Sequence, residues 1–332
     1  MPSRFPFSSF PIGWFRVSAG DELPSGGVRA LHYFGRDLVL FRTMEGAAHV
    51  LDAHCPHLGA HLGHGGKVQG DAIQCPFHGW RLNGEGRCVS IPYAKKIPLR
   101  SEIRSWPVRE INGQIMVYYH PQGETPDWEI PEWPEFTSRE WASFRKAHHW
   151  KIRTHAQELG ENGMDSAHFS FLHCQQTLAM STESVEAEGP VFTHRTFQHY
   201  NVFRLAKFWV KEVAGPLDVT LYGLGCAVNR TCVRAKIQME YCFAFFFTPI
   251  DEERVEVNSV LSMKKLPSRI VTHLLMAKAI QEGRKTIEQD IPIWENKHYR
   301  SQPVLCEGDG PVMQYRRWTR QFYASGTFVD AS

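Results

Sequence analysis

The sequence is short of several things, and each shortage narrows its function. Neither charge is in excess: 37 Lys and Arg stand against 35 Asp and Glu, for a net charge of +2. Taken over the whole chain, that balance gives no electrostatic reason to expect nucleic acid or an anionic surface as a partner. Long apolar runs are missing too. The longest, Tyr241-Cys242-Phe243-Ala244-Phe245-Phe246-Phe247, is closed by Thr248-Pro249, far short of the ~20 apolar residues of a membrane span, and it suits a buried strand. Residues Met1 to Phe15 alternate Phe, Ser and Pro without the apolar core of a secretory leader, so the expected location is the cytoplasm. A glycine-rich dinucleotide fingerprint is lacking, which excludes a Rossmann-type cofactor site. Internal repeats and low-complexity tracts are lacking as well.

Eight cysteines in 332 residues do not make a disulfide scaffold. Two of them have metal-site spacing. The other six, Cys88, Cys174, Cys226, Cys232, Cys242 and Cys306, are scattered and are expected to be small buried hydrophobes.

The fold class expected is α+β. Residues 1–120 alternate short β-type runs with Gly, Asp and Asn, as at Gly35-Arg36-Asp37 and Asn112-Gly113, and are expected to form a small antiparallel β domain. Residues 121–137, rich in Pro and Glu, read as a linker. Residues 138–332 are of mixed α/β character: helix around Thr154–Phe171, strands from about Val191 to Met263, and a long helix with Ser268 as N-cap. In it Ile270, Leu274, Leu275, Ala277 and Lys278 carry a 3.6-type pattern towards Trp294.

What the sequence does have is two sets of metal-ligating residues. The first is Cys55-Pro56-His57 followed by Cys75-Pro76-Phe77-His78. Each pair sits in a Pro- and Gly-containing loop, which suits backbone that wraps closely around bridged irons. Two thiolates and two imidazoles can divide between the irons of a [2Fe–2S] cluster. Neutral imidazoles reduce its negative charge and raise its reduction potential above that of an all-thiolate ferredoxin. A Cys2His2 zinc site is the competing reading, although zinc fingers usually place both cysteines ahead of both histidines. Nearby His54, His61 and His64 lack the paired Cys spacing and read as polar loop residues.

The second set lies in Glu161-Asn162-Gly163-Met164-Asp165-Ser166-Ala167-His168-Phe169-Ser170-Phe171-Leu172-His173. His168 and His173 would be about 140° apart on an ideal helix, so both face one metal only if the helix ends between them. Asp165 shares a face with His168, as a supporting partner. A mononuclear iron that activates O2 uses two His and one carboxylate. Asp290, in an apolar stretch ahead of Pro292, is the candidate for the third ligand, with Glu288 and Glu295 as local rivals. A chain that only carried electrons would not need about 200 further residues, more than a typical domain.

Together these motifs resemble the oxygenase components of Rieske non-haem iron oxygenases, over nearly the whole chain. Within that group, Arg87–Ala94, Gln157–Gly163, Gln289–Trp294, Asp309-Gly310-Pro311, Arg316-Arg317-Trp318 and Gln321-Phe322-Tyr323 are similar to the 3-ketosteroid 9α-hydroxylases and the Neverland-type cholesterol 7-desaturases. The resemblance implies an all-β Rieske domain followed by a helix-grip-like α/β catalytic domain with an antiparallel sheet. It implies a cluster on Cys55, His57, Cys75 and His78, and Fe(II) on His168, His173 and Asp290. Asp165 and Asn162 become catalytic residues, with Asp165 bridging a cluster histidine, expected to be His78, to His168. A homotrimer is implied, with the cluster of one subunit against the iron of the next, fed by a separate NAD(P)H reductase. The implied reaction uses O2 to hydroxylate or desaturate a C–H position of a sterol or steroid. An aromatic or alkaloid-like substrate, or electron transfer alone, are the rival functions. Phe203, Phe208, Val210, Leu221, Tyr222, Phe243, Phe245 and Phe247 could line an apolar pocket, or serve equally as core.

Overall fold

Short β-favouring runs closed by turn residues make eleven strands between Gly13 and Tyr119. They form three antiparallel sheets. Strands Gly13–Ala19, Gln114–Tyr119 and Val108–Ile111 make one, and Val28–Tyr33, Arg36–Arg42, Ala48–Asp52 and Ser105–Trp106 the second. Lys67–Gln69, Ala72–Gln74, Arg81–Asn83 and Cys88–Ser90 make the third. Asn112 (φ 51°) and Gly113 (φ 73°) close the hairpin Val108–Ile111/Gln114–Tyr119. Both residues adopt the positive φ that a tight hairpin turn requires. The structure, a computed structural model, describes residues 4–7, 10–173, 177–200, 213–234 and 237–324; Cys174, Phe203, Phe208 and Val210 lie outside them.

The compact units are divided differently from the expected boundaries: one comprises Gly13–Pro131 with Ile250–Glu252, the other the rest of the chain. The proline-rich stretch expected as a linker is strapped to the β unit by side-chain hydrogen bonds. Trp14 Nε1 donates to Trp128 O (2.8 Å), Tyr118 Oη to Asp127 Oδ1 (3.0 Å), and Asn112 Nδ2 to Pro131 O (2.9 Å). The segment before Gly13 joins the second unit, where Ile12 N donates to Phe322 O (2.7 Å).

Among the described residues, the second unit has five α-helices: α1 (Pro134–Thr137), α2 (Ala156–Asn162), α3 (Ser166–Phe171), α4 (Arg269–Asn296) and α5 (Val312–Thr319). Its sheet has, among the described residues, seven antiparallel strands, in the order Arg145–Ile152, Val255–Met263, Gln238–Pro249, Cys226–Arg234, Val213–Tyr222, Val191–Tyr200, Thr177–Glu188. The aromatic run Tyr241–Phe247 lies in the third of these, and α4 packs against the sheet. Met276 is buried with Tyr241, Leu261 and Met263, and His148 Nε2 donates to Ile280 O (2.8 Å). Ser268 caps α4 by accepting from Val271 N.

The apolar pattern of α4 coincides with its buried face only in part, Leu275 packing on the core. Thr272, Met276, Asp290 and Trp294 are buried, whereas Ile270 and Leu274 are exposed. Composition marks those two as apolar without showing on which side of the helix the sheet lies. The cysteine expectation also fails in part: Cys232 is only partly buried, and Cys306 is exposed, its thiol directed at Asp309 Oδ1 (3.5 Å). Cys88, Cys226 and Cys242 are buried, and the described cysteines are all free thiols.

Candidate metal centres and their surroundings

Two loops of the β unit carry Cys55, His57, Cys75 and His78, and they repeat one hydrogen-bond pattern. Cys55 N donates to Ala60 O (2.9 Å) and Gly59 N to Cys55 O (3.0 Å); Cys75 N donates to Trp80 O (2.8 Å) and Gly79 N to Cys75 O (3.1 Å). Gly59 and Gly79 both sit at positive φ, 75° and 73°, where a side chain would strain the turn. The loops therefore present their ligand pairs in matching geometry. The rings of His57 and His78 stand 4.7 Å apart, and Trp80 stacks on His57 at 4.7 Å and 7°.

Cys55 and Cys75 are buried in the core around Ile73 and Leu82. Burial, with the adjacent Cys75 thiol, pushes Cys55 up to about 11, so without a cation that sulfur would not ionise readily. His57 Nδ1 is buried with no hydrogen-bond partner. Two buried thiols beside an orphaned imidazole nitrogen fit a cluster whose positive irons reverse that penalty.

In the second unit, α2 is capped by His155, whose Nδ1 accepts from Gln157 N. It ends at Asn162, and α3 starts after a short break. Asp165 caps α3, its Oδ1 accepting from Ala167 N (3.1 Å) and His168 N (3.2 Å). The break is held by His194, fully buried, which bonds Gly163 O (3.1 Å) and Thr182 Oγ1 (3.0 Å). Because α3 ends at Phe171, His173 leaves the helical path and turns towards His168, their rings 5.1 Å apart. Asp290, buried on α4, completes a set in which one ligand atom from each of His168, His173 and Asp290 lies within 4.8 Å of the others. Glu288 is exposed and pairs with Arg284 (2.7 Å). Glu295 Oε1 accepts from Arg153 N (3.4 Å).

Both imidazoles are oriented from behind. His168 Nδ1 donates to Asp165 O (2.6 Å) and His173 Nδ1 to Gln289 Oε1 (2.8 Å), which turns each Nε2 towards the candidate metal position. Burial holds His168 below its ordinary range, in the neutral form that ligates. Burial also opposes charge on His173, but Asp290 and Gln289 outweigh it and raise the group. His173 Nε2 and Asp290 Oδ1 are 3.2 Å apart yet misaligned for a hydrogen bond, and both are buried without a partner. A cation is what that pair lacks. Asn162 Nδ2 lies 3.2 Å from His168 Nε2 and donates to Asp290 Oδ2 (3.4 Å), touching two of the three groups.

Asn162 and Asp165 also line a polar cavity of about 210 Å³ with Glu161, Lys297 and Arg316. Arg316 and Lys297 come from the C-terminal segment. Nothing in the local sequence of either points to the site, and the same is true of His194. Gln289 adjoins Asp290, but its grip on a histidine 116 positions away has no sequence signal.

Residues 13–107 match the Rieske [2Fe-2S] domain, and residues 117–323 match the 3-ketosteroid 9alpha-hydroxylase C-terminal domain. Cholesterol 7-desaturase nvd of Xenopus laevis is 34% identical, over 96% of this chain and 73% of that protein. The oxygenase component of 3-ketosteroid-9-alpha-monooxygenase from Rhodococcus rhodochrous is 32% identical, over 95% of this chain and 81% of that protein. The solved structure of dicamba monooxygenase shares the fold, with a TM-score of 0.76 at 19% identity, covering 96% of this chain and 98% of that one. The protein is thus a Rieske-type non-haem iron oxygenase, with a [2Fe–2S] domain ahead of a mononuclear iron domain. Within that class, the chain belongs to the family defined by the 3-ketosteroid 9α-hydroxylase C-terminal domain.

Proposed function

We propose that this chain is the terminal oxygenase of a multicomponent system that hydroxylates or desaturates a C–H position of a sterol or steroid, using O2 and electrons from a separate NAD(P)H-dependent reductase. The observation that carries the reading is the His168/His173/Asp290 set, with both histidines oriented by bonds from behind, in a chain whose relatives include a cholesterol desaturase and a ketosteroid monooxygenase.

In this reading Cys55, His57, Cys75 and His78 hold the cluster, and His168, His173 and Asp290 hold Fe(II). When bound, the cluster supplies single electrons and the mononuclear iron activates O2. The chain's own residues orient and insulate. Asp165 O and Gln289 Oε1 fix the histidine tautomers, and Asn162 restrains Asp290 from the side. Phe243 and Phe245 are half-buried on the strand beneath α4 and offer apolar walls for a rigid hydrocarbon. Leu221, Tyr222 and Phe247 are buried in the core.

The assembly we propose is a homotrimer, with the cluster loops of one subunit docking near Asp165 of the next. Leu58 and Phe77, on the two cluster loops, are 66% and 62% exposed, and apolar tips of this kind favour burial in a partner. The Asp165 side chain is 40% exposed, so it is accessible to a neighbouring subunit's His78. The proposed location is the cytoplasm, which suits the described free thiols. Among the described residues no helix is long and apolar enough to cross a membrane.

The test is a screen of sterols and 3-ketosteroids with a surrogate reductase, scored by mass. Gain of one oxygen or loss of two hydrogens on a steroid nucleus supports the reading. Turnover of planar aromatics alone would overturn the substrate class.

A further inference from the structure

The balanced total charge conceals a local imbalance. From Val257 to Gln281 the sequence holds Lys264, Lys265, Arg269 and Lys278 and no Asp or Glu. This stretch includes the first turns of α4, where the helix turns apolar side chains outward. Ile270 is 74% and Leu274 65% exposed, four residues apart on one face. Val271 is partly exposed beside them. Ile237, 57% exposed, just precedes the strand Gln238–Pro249, whose Met239 packs into the cluster beneath α4 with Leu266, Leu275 and Met276. Thr272 and Met276 supply the inward face of the same turns, so these turns are anchored on one side and apolar on the other.

We propose that Ile237, Ile270, Val271 and Leu274 form a docking patch for the surface of an anionic lipid bilayer. Aliphatic side chains rimmed by Lys and Arg suit an interface in which apolar groups enter the acyl boundary and cations meet lipid phosphates and carboxylates. Some of these cations also have acidic neighbours: Lys264 lies 3.5 Å from both Glu140 and Glu240, and Lys278 2.9 Å from Glu282. Lys265 donates to Arg139 O, leaving its charge uncompensated by that contact, and Arg269 and His273 are exposed. The proposal does not depend on the substrate class. If the substrate is a sterol, such docking would bring the enzyme to the phase that holds it.

The experiment is cosedimentation of the metal-loaded full chain with vesicles of phosphatidylcholine plus phosphatidylserine, and of phosphatidylcholine alone, with mass in solution followed by light scattering. The chain is expected to bind the anionic vesicles more tightly than the neutral ones. Ile270→Asp/Leu274→Asp is expected to weaken binding at least about tenfold, given what burying two aliphatic side chains contributes. Lys265→Glu/Arg269→Glu is expected to weaken it without altering mass. No binding to anionic vesicles, equal affinity for neutral ones, or binding unchanged in either variant overturns the proposal. A fall in molecular mass of the Asp variant also overturns it, by making the patch a contact between copies of the chain.

Discussion

Arg316 on α5 grips Glu161 on α2 through two hydrogen bonds, Nε to Oε2 at 2.6 Å and Nη2 to Oε1 at 2.8 Å. Both side chains are buried, and the next residue is Asn162, which touches His168 and Asp290. The forked pair ties the C-terminal helix to the end of α2, supported by Tyr315 Oη on Gln157 O (2.8 Å) and by Lys297 on Glu158 (2.6 Å). Arg316→Met leaves Glu161 buried without its main partner. It is expected to cost about 3 kcal/mol in denaturant unfolding. The double variant Arg316→Met/Glu161→Leu should recover much of that loss, because no unpaired charge remains.

Asp165 has two duties that one substitution can separate. Asn is as good an N-cap as Asp, so Asp165→Asn should preserve α3 and the placement of His168 while removing the charge. The expected result is full occupancy of both metal sites with loss of coupled turnover, read by product formed per NAD(P)H consumed. Asp165→Ala should in addition lower stability by about 1 kcal/mol through the lost cap. Normal coupling in Asp165→Asn would take the carboxylate out of the electron path.

His155 supplies a pH dependence of stability. It is buried against Phe5 and Phe7, and burial lowers it to about 3, so the folded chain keeps it neutral while the unfolded chain protonates it near 6.5. The unfolded state therefore binds the extra proton between those values. The contribution is fully present above about pH 6.5 and is lost as pH falls towards 3, at up to about 1.4 kcal/mol per pH unit. His155→Asn keeps a capping acceptor for Gln157 N and removes the titration. Its unfolding free energy should fall less steeply over that window than the wild type's.

What the sequence reveals of this site follows from how local each feature is. The cluster loops are legible because ligands, Pro and Gly lie within a few residues of one another, and a turn is a local object. His168 and His173 are legible as a pair for the same reason, and Ser268 is legible as a cap. Asp290 can be reached only by supposing that an acid in an apolar stretch has a purpose. The supports are not legible: Gln289 on His173, His194 on Gly163 and Arg316 on Glu161 join residues distant in the chain through contacts that only the folded sheet creates. The outward turn of Ile270 and Leu274 is hidden for a related reason. The register of α4 on the sheet is set by Met276 and Asp290, not by the sum of its apolar residues.

The central claim is that His168, His173 and Asp290 hold an iron in addition to the cluster. It is tested most directly by counting iron per chain in the wild type and in His173→Ala, with the spin-resonance spectrum of the reduced cluster recorded on the same samples. The account predicts three irons per chain in the wild type and two in the variant, with the cluster signal unchanged. Two irons in both proteins, with the cluster signal intact, would contradict it and leave a chain that only carries electrons.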